Sequence, residues 1–507
     1  MNWIALVVFI ALLLLATWLG FAAARWRRGN LDLLHEWGLG GRRFGTALIW
    51  MLLGADLCTA NSFIAVPALM FVAGATGFSA IPSTIMAYPI LYAVFARLWT
   101  VSHQSGHVTA ADFVRARFAN RWLALAIAAT GLVTTMPCIA LQWAGLEVVI
   151  AAMGVPTTGL SGDLPLVIAF GVAAAFTYTN GLRAPAMIAV VKDLLLYVTA
   201  FAAIVIVPTQ LGGFERIFAG VAPEKLLLTA TGPNDLGSFS AYATLALGSA
   251  LSLWLYPHSI TGLLSASSAK AIRRNAALLP AHSLVLGVFA LMGFMAVAMG
   301  VAQMPEFAGG FGRYGANFSV PAMVLAAFPS WFAGVAFAAI AIGALVAASI
   351  MSIAAANIFA RNIYREFINR NCSAAEVTSI AKITSIIAGG FGLIISPPMP
   401  YTMKLQLLGG VWIIQTLPAV VLALYTRVFN GWALLAGWCA GVATATLMAA
   451  QLDFRTAIYP LALEDFSFPC YIALPAVLLN IAVSLLLSPV LNAVVSGQRN
   501  NIADADA

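Results

Sequence analysis

The stretch Gly54-Ala55-Asp56-Leu57-Cys58-Thr59-Ala60-Asn61-Ser62, followed by Pro67, decides how this chain is read. It lies in an apolar segment running from about residue 46 to 74 and carries Asp56, Cys58, Thr59, Asn61 and Ser62 close together. A carboxylate near the centre of a bilayer costs at least ~2.5 kcal/mol, so Asp56 is expected to face a cavity or a partner. Glycine and proline in the same segment weaken the helix and free backbone groups. Freed backbone at that depth persists only where it lines protein, water or a ligand. The stretch therefore predicts a broken helix carrying a site at the membrane midplane. A proline-kinked helix with its polar groups satisfied by neighbours is the plainer alternative.

Composition sets the surroundings. The 507 residues are 62% hydrophobic and 8% charged, with mean hydropathy +0.95. Soluble domains carry roughly 25% charge. The chain reads as an all-α polytopic membrane protein forming one transmembrane domain over 1–507. Cys58, Cys138, Cys372, Cys439 and Cys470 form no CxxC pair and no metal-ligand spacing. No disulfide framework, metal site or cofactor is expected. The net charge of +7 is read as a property of cytoplasmic loops, and no nucleic-acid partner is expected.

Thirteen spans are predicted, near 3–24, 46–75, 79–99, 122–152, 163–181, 186–208, 240–263, 276–302, 333–360, 378–397, 405–426, 430–451 and 469–490. The first has no positive n-region and ends in Arg25, Arg27 and Arg28, so it is expected to be a span rather than a cleaved signal peptide. Nineteen of the 25 Lys and Arg residues fall at 25–43, 97–121, 183, 270–274, 361–382, 427 and 499. Five, Arg216, Lys225, Arg313, Lys404 and Arg455, fall in the alternate loops, and Lys192 lies inside a span. That bias places the N-terminus outside and the C-terminus in the cytoplasm. The expected location is a plasma membrane, the inner one in a bacterium. The outer connections 209–239 and 303–332 read as plain connectors, or as carrying short interfacial helices or a lid, and the tail 495–507 as disordered.

A second interrupted helix is expected at Trp254-Leu255-Tyr256-Pro257-His258-Ser259. It runs opposite to the first and lies five spans later. The pair predicts an inverted repeat, 46–208 and 240–426, with an extra helix at 3–24 and two more at 430–490.

Several short patterns agree with this layout. Thr109-Ala-Ala-Asp112-Phe113-Val-Arg115-Ala-Arg117-Phe118 resembles the Thr-x-x-Glu-Phe-x-x-x-Arg-Phe run of the sodium:solute symporter family. Gly181-Leu182-Arg183-Ala184 leading to Lys192-Asp193 resembles its fifth core helix. Arg361-Asn362-Ile363-Tyr364 resembles the Arg-Asp-x-Tyr end of its eighth core helix, with Asn362 in place of Asp. The resemblance covers roughly 5–490. Within it, His35-Glu36-Trp37-Gly38-Leu39-Gly40-Gly41-Arg42-Arg43 and Tyr256-Pro257-His258 look like the branch that takes up lactate, pyruvate and similar monocarboxylates.

The resemblance implies a leucine-transporter-type fold of five plus five core helices with alternating access. It implies ion-coupled uptake of a small organic anion across the lipid bilayer. A monomer suffices for transport, and the oligomeric state stays open. The family's sodium site would use the backbone carbonyls of Ala55 and Cys58. Its remaining ligands would come from Gly343, Val346 and Ala347 on the eighth core helix. Those three share a helix face, but both expected hydroxyls are missing. A hard cation needs oxygen ligands, which Val346 and Ala347 do not supply. Ser349 and Ser352 are the nearest hydroxyls.

Lys192 lies about six residues, or ~9 Å, inside its span. An ammonium there can substitute for a bound sodium ion and can load and release a proton. Asp193 matches the carboxylate that the family associates with its sodium site, and Asp56 is a counter-charge or an alternative proton carrier. The coupling ion is thus H⁺ or Na⁺, with H⁺ favoured. Lys192 snorkelling to the interface is the alternative. As sequence neighbours, Lys192 and Asp193 are not expected to point at each other. Thr59, Asn61, Ser62, Tyr256, His258 and Ser259 are the expected substrate lining, with Gln142 and Gln415 behind them. Each of these is equally readable as interhelical glue.

Other classes fare worse. A membrane-embedded enzyme finds no HExxH, no GxSxG and only five histidines. A sodium-coupled symporter of another small solute stays open. A channel would not need paired broken helices with an intramembrane Asp and Lys.

Overall fold

The computed structural model describes residues 1–26, 29–157, 159–230, 232, 234–395, 399–463 and 466–505, with side chains throughout these except at 24, 56, 61, 160, 161, 399–405, 463 and 494–505. The chain is a bundle of apolar helices. In order they are α1 (Trp3–Ala22), α2 (Thr46–Leu57), α3 (Val66–Ala73), α4 (Ala80–Ile90), α5 (Arg121–Ala152), α6 (Gly159–Asn180), α7 (Arg183–Leu211) and α8 (Gly237–Leu253). Then follow α9 (Pro257–Leu264), α10 (Ala269–Leu278), α11 (Pro280–Ala298), α12 (Ser330–Ile358), α13 (Ala374–Ile394), α14 (Met399–Ile413), α15 (Gly431–Ala450) and α16 (Ala473–Ala505).

Among the described residues, twelve helices are long and apolar enough to cross a membrane. One of these, Ser62–Gln104, folds back on itself at Gly74. Its two arms run in opposite directions along α11. On the first arm Phe63 packs on Phe289 and the Pro67 carbonyl abuts Gly293. The return arm runs the other way, with Ile81 beside Gly287 and the Tyr88 hydroxyl donating to the Leu279 carbonyl. The fold-back divides that stretch into two arms, as the separate spans expected near 46–75 and 79–99 require.

α12 is the hub. Nearly all of its residues are buried, whereas the peripheral α1 buries only Ala5, Phe9, Ala16 and Gly20. It touches α1, α5, α7, α9 and α13. Its sequence is mostly Ala, Ile, Val and Gly, and small side chains let neighbouring backbones approach closely in a membrane bundle.

Both expected interruptions are present, the first at Cys58 rather than around Pro67, where it was expected. α2 stops at Leu57, Cys58 leaves the helical region (φ −109, ψ 77), and the chain resumes helically from Ala60. α8 stops at Leu253, and Tyr256 is extended (φ −61, ψ 141). No proline stands at the first break itself, and Pro67 follows it by nine residues. At the second, Pro257 both forces Tyr256 out of the helical region and starts α9 at its first turn.

Three features differ from expectation. The segment before α16 contains an antiparallel hairpin, β1 (Ile458–Leu463) paired with β2 (Phe466–Tyr471). Of the alternatives for the outer connections, short helices are what the chain forms around 214–226 and 308–327, so this feature differs only from the plain-connector reading; Lys225 Nζ donates to the Phe71 carbonyl there. The backbone of α16 continues helically to Ala505, where an irregular tail was expected, since no proline after Pro489 interrupts it.

The patterns at the arginine-rich end meet in space. Thr109 Oγ1 donates to Asn362 Oδ1 at 2.7 Å, and Asn362 Nδ2 donates to Asp112 Oδ1 at 2.8 Å. Arg361 pairs with Asp112 at 3.2 Å. Arg183 pairs with Glu36, and the Leu182 amide donates to the Trp37 carbonyl. Gly181 has φ +56, and a side chain there would collide with that carbonyl.

Candidate functional site

The two helix breaks face one cavity of about 220 Å³. Thr59 and Ser62 line it from the first break, Tyr256 and His258 from the second, and Gln142 from α5. Ser79, Ser83, Thr84, Ser249, Ser252, Gln406 and Tyr471 line the way from the breaks toward the hairpin end of the bundle. No Lys, Arg, Asp or Glu is among these lining residues. A larger recess of about 320 Å³ lies at the opposite, arginine-rich end, lined by His35, Arg42, Arg361 and Arg365. It touches neither break, so the 220 Å³ cavity is the candidate solute site.

Local chemistry holds the first break open. The Ser62 hydroxyl donates to the Leu57 carbonyl, and the Ala60 amide donates to Gln142 Oε1 at 3.2 Å. Gln142 Nε2 in turn donates to the Cys138 carbonyl. Two backbone groups that the helix no longer pairs are thereby satisfied. Ser62 and Gln142 therefore line the cavity while holding the backbone that shapes it.

The remaining expected residues separate. Ser259 is buried but does not line the cavity. Gln415 does not line it either: its Nε2 donates to the Val411 carbonyl and its Oε1 accepts from Asn480 Nδ2 at 3.1 Å, joining α14 to α16. The Asp56 and Asn61 side chains lie outside the described residues. Tyr471 has no precedent in the sequence reading. It arrives from the hairpin, and its hydroxyl donates to the Leu407 carbonyl at 2.8 Å.

A second, drier cluster lies behind the first break. Lys192 is 0% exposed and Asp193 3%, which rules out a lysine reaching the interface. Lys192 Nζ is 2.6 Å from Asp193 Oδ1. This corrects the expectation that neighbours on a helix point apart. Neighbouring residues on a helix are splayed, but a four-carbon stem is long enough to fold back across that angle. A Cβ placed on Gly343 would sit 3.7 Å from Lys192 Cδ and 3.8 Å from the Cys58 carbonyl oxygen. The lysine stem, the Cys58 carbonyl and Gly343 therefore converge, with Ala55, Val346 and Ala347 all buried. Ser349 and Ser352 donate to carbonyls of their own helix, Leu345 and Ala348.

The arrangement combines a cavity at two helix breaks, its described lining free of Lys, Arg, Asp and Glu, with a buried ion pair beside one of them. That is the layout of a carrier. Residues 37–441 match the sodium:solute symporter family. The chain is 44% identical to a monocarboxylate transport permease protein of Rhizobium johnstonii (strain DSM 114642 / LMG 32736 / 3841), over 97% of this chain and 98% of that one. It is 30% identical to the uncharacterized symporter YodF of Bacillus subtilis (strain 168), over 88% of each. Its fold is similar to that of a Na⁺-coupled sialic acid symporter solved in a substrate-bound outward-open state, with TM-score 0.78, 15% identity, and coverage of 96% of this chain and 98% of that one. It is also similar to Mhp1, a nucleobase-cation-symport-1 family transporter solved in a closed conformation, with TM-score 0.51, 11% identity, and coverage of 90% and 94%. The chain belongs to the sodium:solute symporter family.

Proposed function

We propose that this symporter takes up a short monocarboxylate, such as lactate, pyruvate or acetate, and that protons drive it. The position of Lys192 carries the coupling half of the reading. A Cβ on Gly343 would stand 3.7 Å from the Lys192 stem and 3.8 Å from the Cys58 carbonyl oxygen, so the stem reaches the neighbourhood where the family resemblance puts a sodium ion. Val346 and Ala347 bring no oxygen to that place. An ion held by carbonyls alone would be short of ligands. An ammonium nearby would also repel it, by about 4 kcal/mol for like charges ~4 Å apart at an effective dielectric of about 20.

The cavity supports the substrate half. At 220 Å³ it is below the ~300 Å³ at which drug-sized ligands begin to fit. Hydroxyls, His258 and the N-terminus of α9 offer donors to a carboxylate. The 44% identical relative is named for monocarboxylates. In this reading the hairpin end faces outside, the C-terminus is cytoplasmic, and the protein sits in a plasma membrane, the inner one in a bacterium. The repeats run 46–208 and 240–426.

The test is uptake of labelled lactate, pyruvate and acetate into proteoliposomes with sodium and the pH gradient varied independently. Accumulation that follows the pH gradient without sodium is expected. Accumulation that needs sodium at fixed pH would return the protein to sodium coupling. Competition by sugars or amino acids, and not by carboxylates, would overturn the substrate class.

A further inference from the structure

The coupling pair has a third member on another helix. His282, in the first turn of α11, is 0% exposed, and its Nε2 lies 3.8 Å from Asp193 Oδ2. The other carboxylate oxygen, Oδ1, holds Lys192 Nζ at 2.6 Å. One carboxylate thus stands between two bases, with one oxygen toward each. Both nitrogens of His282 lack a hydrogen-bond partner among the described residues, as does the buried Tyr197 hydroxyl. A histidine kept only for packing would normally be hydrogen-bonded when so fully buried.

The surroundings are built for the ring. Gly54, in the helix of the first break, has no side chain where a Cβ would fall 2.1 Å from His282 Nε2. Trp50 packs against the imidazole at 4.4 Å and Tyr197 at 5.7 Å, both roughly edge-on. Among the described residues, the titratable and charged groups that face it are Lys192, Asp193 and Tyr197 from α7; Cys58 lies by the same pair. From α4, Tyr88 bonds to the adjacent Ser283, and α4 carries no charged residue. His282 lies just beyond the join of α10 and α11, where Leu278 is 49% exposed and Arg273 and Arg274 follow on the same arm.

We infer that His282 takes the coupling proton from the Lys192–Asp193 pair and passes it toward the arginine-rich end. This rests on the proton-coupled reading above. The N–H bond at Lys192 Nζ breaks as an O–H bond forms on Asp193. The carboxyl turns, its O–H bond breaks, and an N–H bond forms at His282 Nε2 as the ring closes to hydrogen-bond distance. Lysine is then a neutral amine, aspartate is again a carboxylate, and the imidazolium stands beside it. The trio is neutral overall before and after this transfer, so the transfer itself buries no net charge. The imidazolium gives its proton to water at the arginine-rich end, and Lys192 reloads from the cavity side. A histidine suits that step because its ordinary titration range spans physiological pH.

The experiment uses purified full-length protein in proteoliposomes with whichever of pyruvate, lactate or acetate the unsubstituted protein exchanges. His282→Gln should lower pH-gradient-driven uptake by about 100-fold, the usual scale for a lost proton-transfer group. Counterflow at equal pH, which moves no net proton, should fall far less. The pH dependence of the initial rate should flatten. If the unsubstituted protein responds to the pH gradient and His282→Gln does so with the same pH profile, His282 is not in the path, while the Lys192 reading stands. If the unsubstituted protein ignores the pH gradient, the proton-coupled reading itself fails, and this inference with it. Should His282→Gln and His282→Asn both fail to reach the membrane, ¹⁵N-histidine NMR decides. One of the five histidines should titrate between about pH 5 and 8 with a midpoint displaced in Lys192→Met. No such signal would overturn the inference.

Discussion

Lys192 and Asp193 are chain neighbours on one helix, yet their charged ends meet at 2.6 Å inside the protein. Removing one partner of a buried pair leaves the other charge uncompensated, which costs about 3–5 kcal/mol. Lys192→Met should therefore lower the melting temperature in detergent as well as abolish pH-driven uptake, with some counterflow left. The double variant Lys192→Met/Asp193→Asn should recover much of the stability and none of the coupling. If uptake needs sodium and survives Lys192→Met, the lysine is not the coupling site.

Asn362 offers a charge test at the opposite end. It donates to Asp112 at 2.8 Å, and Thr109 donates to it. Asn362→Asp removes that donor and sets two carboxylates face to face. Like charges about 4 Å apart cost roughly 4 kcal/mol at an effective dielectric of about 20, and Arg361 offsets part of this. The variant should melt lower at pH 8 than at pH 5, where one carboxyl can take a proton. An unchanged melt at both pH values would mean that the pair is not held together in solution.

His107 sets a pH dependence of stability. It lies in the loop before Thr109 and is 6% exposed. Burial holds its imidazole below the ordinary value of 6.5, with Arg361 and Arg42 reinforcing and Asp112 opposing. The folded state thus binds this proton less readily than the unfolded chain. The stabilisation is complete above the unfolded value and is lost as pH falls from about 6.5 toward the lowered folded value. Thermal melts between pH 7 and 5 should fall more steeply for the unsubstituted protein than for His107→Gln. Parallel slopes would show that other groups set the acid limit.

Tyr471 and Gly410 test the cavity's far end. A Cβ on Gly410 would lie 2.4 Å from the Tyr471 hydroxyl oxygen. Gly410→Ala should displace that hydroxyl from the Leu407 carbonyl and move the ring that lines the cavity. One hydrogen bond is worth about 1 kcal/mol, or roughly fivefold. The expected result is a KM raised by about that factor with kcat changed less. A KM equal to that of the unsubstituted protein would mean that solute passes without touching this wall.

Much of the architecture was legible from the chain alone. Long apolar runs fix helices because no other element satisfies its backbone in lipid. Pro257 and the polar run at Asp56–Ser62 marked the two breaks, since each changes the backbone locally. Thr59, Ser62, Tyr256, His258 and Gln142 were foreseeable as cavity lining because they sit at or beside those breaks.

What the sequence could not determine depends on contacts between distant segments. Tyr471 reaches the cavity only because a hairpin carries it across to α14. Gln415 carries no local mark that its amide would be used by Asn480. His282 stands alone in an apolar run, where a single histidine gives no pattern, and only the packing of α11 against α7 and Gly54 sets it beside Asp193. The Lys192–Asp193 contact escaped a rule of helix geometry because that rule follows Cβ directions, whereas a long side chain in a crowded core goes where its charge is neutralised. Sequence determined the elements and the breaks; side-chain reach and interhelical packing decided which polar groups share a site.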